Sequence, residues 1–103
     1  MALYNPATAT LVESTSGTST PTTVASSASN TTILAANSNR KGATMWNDST
    51  ATLYLEFGAT ATASAFVAKI APSGYYELPF HYTGVISGIW SAVNGNAFVR
   101  ELT

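Results

Sequence analysis

The stretch ATLYLEFG (residues 51–58) decides the fold class, because it holds the clearest alternation of apolar and polar side chains in the chain. Leu53, Leu55 and Phe57 fall on one face of an extended segment, and the side chains between them fall on the other. Successive side chains of a β-strand point to opposite faces of its sheet. The alternation therefore predicts a strand that turns one face toward a core.

Further short strands are predicted on both sides of this run. GATMW (42–46) precedes it, and NDST (47–50) is predicted to be the hairpin turn between the two, because Asn and Asp favour tight turns. Turn sequences recur about every 8–12 residues, which is typical of all-β sandwiches. We therefore predict an all-β fold, a single antiparallel β-sandwich or jelly-roll-like domain, with later strands at FVAKI (66–70), YYEL (75–78), VISGIW (85–90) and AFVREL (97–102).

The composition divides the chain near residue 32. Residues 1–32 contain 15 Ser or Thr and one charged residue, Glu13, whereas residues 33–103 carry the predicted strands of the β-sandwich domain. The first segment is predicted to be an extended N-terminal arm, either a flexible tail or an arm that adds a strand to a neighbouring subunit through main-chain hydrogen bonds. Its apolar side chains have no local core to enter and are predicted partner contacts: Leu3, Tyr4, Leu11 and Val12.

The charge and the cysteine content exclude several classes of protein. Only 9% of the 103 residues are charged, the net charge is −1, and the four basic residues form no stripe, so no nucleic-acid partner is predicted. Without cysteine there is no thiolate nucleophile and no cysteine-based zinc site. No apolar run reaches the about 18 residues of a membrane helix, and no secretion signal opens the chain. We therefore expect no membrane partner and synthesis in a cytoplasm.

Catalytic, cofactor and metal sites are not predicted. His81 is the single histidine, and neither a nucleophile motif nor a second histidine accompanies it, so a surface or loop position is the better interpretation. The oxygen-bearing run Asn47, Asp48 and Ser49 lies where a tight turn requires these residues. The sequence therefore predicts a protein that is not an enzyme.

The aromatic residues allow two interpretations. Flat rings with a polar edge suit sugar stacking, which would make the chain a carbohydrate-binding module. Alternation in YYEL and ring positions at strand ends favour places in the core or at a subunit interface instead. The aromatic residues considered are Trp46, Trp90, Tyr54, Tyr75, Tyr76 and Tyr82, and the predicted partner contacts of the domain are Arg40, Lys41, Tyr75 and Tyr82.

Three segments within residues 33–102 together resemble a recurrent small module of tailed bacteriophages. They are ILAANSNRKGATMWNDSTATLYLEFG (33–58), FVAKIAPSGYYELP (66–79) and YTGVISGIWSAVNGNAFVREL (82–102). The shared features are an Asn-x-x-Arg-x-Gly strand, an Asn-Asp-Ser turn, a Leu-Tyr-Leu strand, a Pro-x-Gly-Tyr-Tyr-Glu segment and an Ile-Trp strand that leads to Asn-Gly-Asn. These motifs mark positions in a fold and contain no active site.

The resemblance implies a structural component of a virion, made in the cytoplasm of the host bacterium and repeated as a homo-oligomer. The preferred role is capsid decoration, in which many copies bind the head surface and clamp capsomers, with Arg40 and Lys41 meeting carboxylates of the major capsid protein. The alternatives are a tail, neck or fibre-associated virion protein and, in another class, a carbohydrate-binding adhesion module.

Overall fold

The computed structural model of the protein describes residues 15–103. Within this range the chain forms strands and no helix, which confirms the all-β prediction. The strands are β1 (Ser19–Ala25), β2 (Thr31–Leu34), β3 (Gly42–Asp48), β4 (Leu53–Phe57), β5 (Ala68–Ile70), β6 (Tyr75–Glu77), β7 (Ile86–Trp90) and β8 (Asn96–Leu102).

The eight strands form two antiparallel sheets of four strands each. The front sheet has the order β1-β8-β3-β6, and the back sheet has the order β2-β7-β4-β5. β4 and β5 are consecutive neighbours in one sheet, whereas every other connection from β1 to β8 passes from one sheet to the other. This is the strand order of a jelly roll, in which two Greek keys wrap into a sandwich.

Alternation along the strands builds the core between the two sheets. Leu53 and Leu55 of β4 are fully buried, as the period of two predicts, and Met45 and Val99 are their counterparts from the front sheet. Phe57 packs against the same cluster while remaining partly exposed. The buried apolar side chains of the core are Ile33, Leu34, Ala43, Met45, Ala51, Leu53, Leu55, Ile70, Leu78, Ile86, Trp90, Ala97 and Val99.

The segment predicted to be a hairpin turn between β3 and β4 is instead a crossing between the sheets. β3 belongs to the front sheet and β4 to the back sheet. The buried side chain of Asn47 holds this crossing, because its amide donates to the carbonyls of Ala51 (2.8 Å) and Ile70 (3.0 Å). Its oxygen accepts from the indole N–H of Trp90 at 3.3 Å. Asn47 and Asp48, predicted as turn residues, are instead the last two residues of β3, and the connection between the two layers begins at Ser49.

The predicted arm is also corrected in part. β1 lies within residues 1–32 and pairs over its whole length with β8 of the same chain, from Ser19 opposite Leu102 to Ala25 opposite Asn96. The predicted boundary at residue 32 falls inside β2, which pairs with β7. The second half of the predicted arm therefore belongs to the sandwich, because its main-chain groups complete the two sheets.

Candidate interaction surface

Three aromatic side chains form a row across the outer surface of the front sheet. Tyr75 of β6 is directly opposite Trp46 of β3, and Trp46 is directly opposite Phe98 of β8. Residues opposite each other in antiparallel strands project on the same face. Their neighbours Met45 and Val99 point into the core, so the three rings point outward, and they are 56%, 43% and 47% exposed.

A second row, of polar side chains, lies next to the aromatic one. Glu77 of β6 and Arg100 of β8 are both opposite Thr44 of β3, one on each side. Since each residue is two positions from a ring on its own strand, the two rows share the outer surface. We call the six residues of the two rows the aromatic face: Tyr75, Trp46, Phe98, Glu77, Thr44 and Arg100.

Polar contacts link both ends of the aromatic face to their surroundings. The Tyr75 hydroxyl donates to the Glu77 carboxylate at 3.4 Å, and Arg100 donates to the Ser19 hydroxyl at 3.4 Å. Partial desolvation, followed by the charge and hydrogen bond of Glu77, raises the pKa of Tyr75 above its usual value. The phenol is therefore neutral at physiological pH and acts as a hydrogen-bond donor.

The edge strand β1 turns the aromatic face into a shallow groove. Pro21 is opposite Arg100 and Thr23 is opposite Phe98, so both extend the two rows by one strand. Together with Thr44 and the aromatic row they line one concavity. Its walls combine flat rings, a pyrrolidine ring and hydroxyl groups, and its charges are confined to the second row.

The chain's own β4–β5 loop covers part of the outer surface of the back sheet. The ring of Phe66, in this loop, lies 5.1 Å from the outward-facing ring of Tyr54. The side chain of Asn30 holds the loop in place through two hydrogen bonds. Its amide donates to the Ala59 carbonyl (2.9 Å), and its oxygen accepts from the Ala61 N–H (2.6 Å). Of the two outer sheet surfaces, the aromatic face is the one without such a cover among residues 15–103.

Arg40, a predicted partner contact, is buried inside the domain. Its Nε atom donates to a carboxylate oxygen of Glu101 at 2.8 Å, and the Arg40 side chain is 0% exposed. The Nη1 atom donates to the carbonyls of Tyr82 and Gly84, and Nη2 donates to the carbonyl of Ala35. Because four of its five N–H groups are bonded within the domain and its charge is buried and paired, Arg40 is not available to the carboxylates of a partner. It instead joins the chain before β3 to β8 and to the β6–β7 connection.

Other predicted contact residues have mixed positions. Tyr82 is half-buried, its ring stacks on Phe57 with the centroids 4.4 Å apart, and its hydroxyl donates to the Val85 carbonyl at 3.0 Å. Its ring and hydroxyl are therefore engaged within the domain. Lys41 is partly exposed and its ammonium donates to the Thr15 carbonyl. The predicted arm contacts Leu3, Tyr4, Leu11 and Val12 lie outside the described residues.

The remaining aromatic candidates divide between the core and a loop. Trp90 is 2% exposed and Tyr76 packs against the core, as YYEL alternation predicted for one tyrosine of the pair. His81 lies exposed in the β6–β7 connection next to the fully exposed ring of Phe80. Both residues have positive φ angles, 49° and 55°. The loop position of His81 agrees with the prediction from sequence.

Phe98 is the residue of the aromatic face that the sequence analysis did not single out. The signal was present in AFVREL, where Ala97 and Val99 alternate with Phe98 and Arg100. A strand with small or branched residues on one face and a large ring on the other can bury either face. Which face is buried depends on β1 and β3, the partners of β8 in the sheet.

Metal and membrane sites were searched within residues 15–103. No three His, Asp or Glu side chains of this range are grouped so that they could hold a metal ion. No helix of this range is long and apolar enough to cross a membrane. Comparisons of the chain with protein-family models, with curated proteins and with solved structures find no match.

Proposed function

We propose that the chain is a non-enzymatic structural protein of a tailed-bacteriophage virion, made in the host cytoplasm and attached in many copies to the outer surface of the head. The observation that carries the proposal is the aromatic face. Three exposed rings on a rigid sheet are the composition of a protein-contact surface, since aromatic side chains are enriched at interfaces. Jelly rolls occur in viral capsid proteins and in lectins, which supports the proposal by analogy of fold alone.

The low charge of the chain supports the same role. Packing many identical copies buries surface, and a buried charge without a partner is costly. Only 9% of the residues are charged. Arg40, one of the four basic residues, is already paired with Glu101 inside the domain. A surface of Ser, Thr and Asn can enter crowded contacts at a lower desolvation cost than a surface of Lys and Glu.

We assign contacts between copies to the aromatic face and attachment to the head to the N-terminal segment, and co-sedimentation tests the attachment. Heads from the phage that encodes the chain, prepared from a mutant lacking this gene, are mixed with purified full-length chain. We expect the chain to sediment with the heads. A variant with Leu3, Tyr4, Leu11 and Val12 all changed to Ser should keep the circular dichroism of the wild type and lose binding.

Two outcomes contradict these assignments. If the wild-type chain stays in the supernatant, head decoration is wrong, and a neck, tail or fibre position becomes the leading virion role. If the four-site variant binds as well as the wild type, the N-terminal contact is wrong while decoration stands. The major capsid protein is the expected partner in the first experiment and can be identified by cross-linking.

A carbohydrate-binding role is the second candidate, and the groove beside the aromatic face favours it. The flat rings could stack on a sugar, and the hydroxyls of Thr23 and Thr44 could accept hydrogen bonds from the sugar hydroxyls. Trp46 is 43% exposed and Trp90 is 2% exposed, so a ligand on this surface changes the fluorescence of Trp46. Saturable quenching by an oligosaccharide, lost in Trp46→Phe, would favour this role. Absence of quenching across a glycan panel would contradict the carbohydrate-binding role and leave the virion structural role as the remaining proposal.

A further inference from the structure

We propose that two copies of the chain pair through the aromatic face, related by a two-fold axis that runs parallel to β3 between the two front sheets. The partner is a second copy of this chain. The proposal goes beyond the proposed function, because it concerns the purified protein and requires neither a virion nor any other ligand.

The aromatic face is nearly symmetric about β3. Trp46 and Thr44 lie on β3 itself, with one ring and one charged residue on β6 and the same on β8. A two-fold axis parallel to the strands and above β3 exchanges β6 of one copy with β8 of the other. It therefore places Phe98 opposite Tyr75 of the second copy, and Trp46 opposite Trp46. Such a contact is isologous, which is the commonest form of protein dimer.

The charges select this axis over other arrangements. Arg100 and Glu77 lie in one row, one strand to either side of Thr44. The axis above β3 places Arg100 opposite Glu77 of the second copy, and the symmetry makes this pair twice. An axis between β8 and β3 would place Arg100 opposite Thr44 and leave both charges without partners. The two Arg100–Glu77 pairs therefore favour a second copy of the chain as the partner and the axis above β3 as the geometry.

The arrangement is compatible with known sheet packing. Two sheets related by an axis along their strands pack in the aligned manner, with strand directions within about 30° of each other. Asp48 is exposed at the end of β3, two residues beyond Trp46, so the same axis places it opposite Asp48 of the second copy and gives the arrangement one like-charge pair. Part of the outer surface of the back sheet is already occupied by the chain's own β4–β5 loop, whose Phe66 packs on Tyr54, and this favours the front sheet as the pairing surface.

The charges also provide the test. In Arg100→Glu both opposed pairs become acidic, and in Glu77→Arg both become basic, so each variant should lose self-association. In a mixture of the two variants, a heterodimer again has opposite charges at both positions. Sedimentation equilibrium of full-length chains from about 5 µM to about 500 µM measures the dissociation constants of the wild type, of each variant and of the heterodimer in the mixture. We expect each single variant to associate at least about tenfold more weakly than wild type, and the mixture to recover most of this loss.

Lys69→Glu is the matched control, since it makes the same charge reversal at an exposed position of the back sheet. It should associate like the wild type. Circular dichroism confirms that all variants keep their strands. A wild-type chain that is monomeric over the whole range overturns the proposal, and so does a mixture that associates no better than its components. A monomer whose Trp46 fluorescence is quenched by a glycan also overturns it, with a sugar as the occupant of the face.

Discussion

Arg40 shows at the scale of one residue how the fold uses a charge. Its guanidinium is buried and bound to Glu101 and to three main-chain carbonyls. An asparagine side chain, that of Asn37, also donates to the Glu101 carboxylate, at 3.2 Å. Removing one member of a buried ion pair leaves the other charge without compensation, which is far more costly than losing a surface pair.

Arg40→Met should therefore lower the free energy of unfolding by about 3 kcal/mol or more. Methionine fills a similar volume, so the loss measures the charge and the hydrogen bonds. Urea denaturation followed by circular dichroism gives the value. Lys41→Met is the control next to it and should change the stability by less than about 0.5 kcal/mol. A loss below about 1 kcal/mol in Arg40→Met would contradict the buried ion pair.

Gly95 is the second residue whose identity the fold requires. Its φ is +67°, and a Cβ at this position would lie 2.1 Å from the Asp48 carbonyl oxygen. Both the left-handed backbone and the close approach to another main-chain segment disfavour a side chain.

Gly95→Ala should cost about 2 kcal/mol or more in the free energy of unfolding, because the β7–β8 connection must move away from the end of β3. Gly17→Ala is the matched control, since no atom lies within 4 Å of its added Cβ. Thermal and urea unfolding of both variants measure the difference. Equal stability of the two variants would show that the connection is not held as described.

At the scale of elements, β1 is a strand that side chains hardly explain. Six of its seven residues are exposed, and Val24 is the member that packs against the core. Its attachment is through main-chain hydrogen bonds to β8. The Ser26 N–H donates to the Gly95 carbonyl, and the Thr18 carbonyl accepts from the Thr103 N–H. The main-chain N–H and C=O groups of even-numbered residues in β1 therefore point toward β8. Pro21, which has no N–H, occupies a position that faces away from β8, as expected for proline in an edge strand.

This alternation predicts opposite results for two neighbouring proline substitutions. Thr22→Pro removes a hydrogen bond to β8 and should lower the free energy of unfolding by about 2 kcal/mol. The main-chain N–H of Thr23 points away from β8, so Thr23→Pro should lower the free energy of unfolding by less than about 1 kcal/mol. Urea denaturation compares them. If Thr23→Pro were the more damaging variant, the register of β1 against β8 would be shifted by one residue.

Local sequence patterns predicted most of the strands but not their partners. The alternation in residues 51–58 located β4 and its buried face, since that signal lies within the strand itself. The run NDST predicted a connection two residues too early, because Asn47 and Asp48 still belong to β3, and its composition does not distinguish a hairpin from a crossing between sheets. β1 was predicted to be part of an arm because its Thr and Ser carry no apolar period. Its place in the front sheet depends on β8, more than 70 residues away.

The candidate surface shows the same limit. Tyr75 and Trp46 were recognised as aromatic candidates, but their adjacency depends on the pairing of β6 with β3. Arg40 was expected to meet a partner, because its own partner, Glu101, is 61 residues away in the chain. Strand positions follow from local periodicity, whereas contacts across strands depend on topology that no single segment encodes.

At the scale of the whole molecule, the two outer surfaces of the sandwich differ. The back sheet is partly covered by the chain's own loop, and the front sheet presents the aromatic face. A charge-poor jelly roll with an exposed aromatic face fits the proposed role of a subunit that contacts copies of itself and a larger assembly. This is the reason for proposing a virion structural role, with head decoration as its specific form.

The most direct test of this role is the copy number of the chain in purified particles. Quantitative mass spectrometry of gradient-purified virions from the phage that we propose encodes the chain gives its ratio to the major capsid protein. Head decoration predicts one copy per capsid subunit, or a simple fraction of that number. Complete absence of the chain from the virion would contradict the virion proposal, and a handful of copies per particle would contradict head decoration.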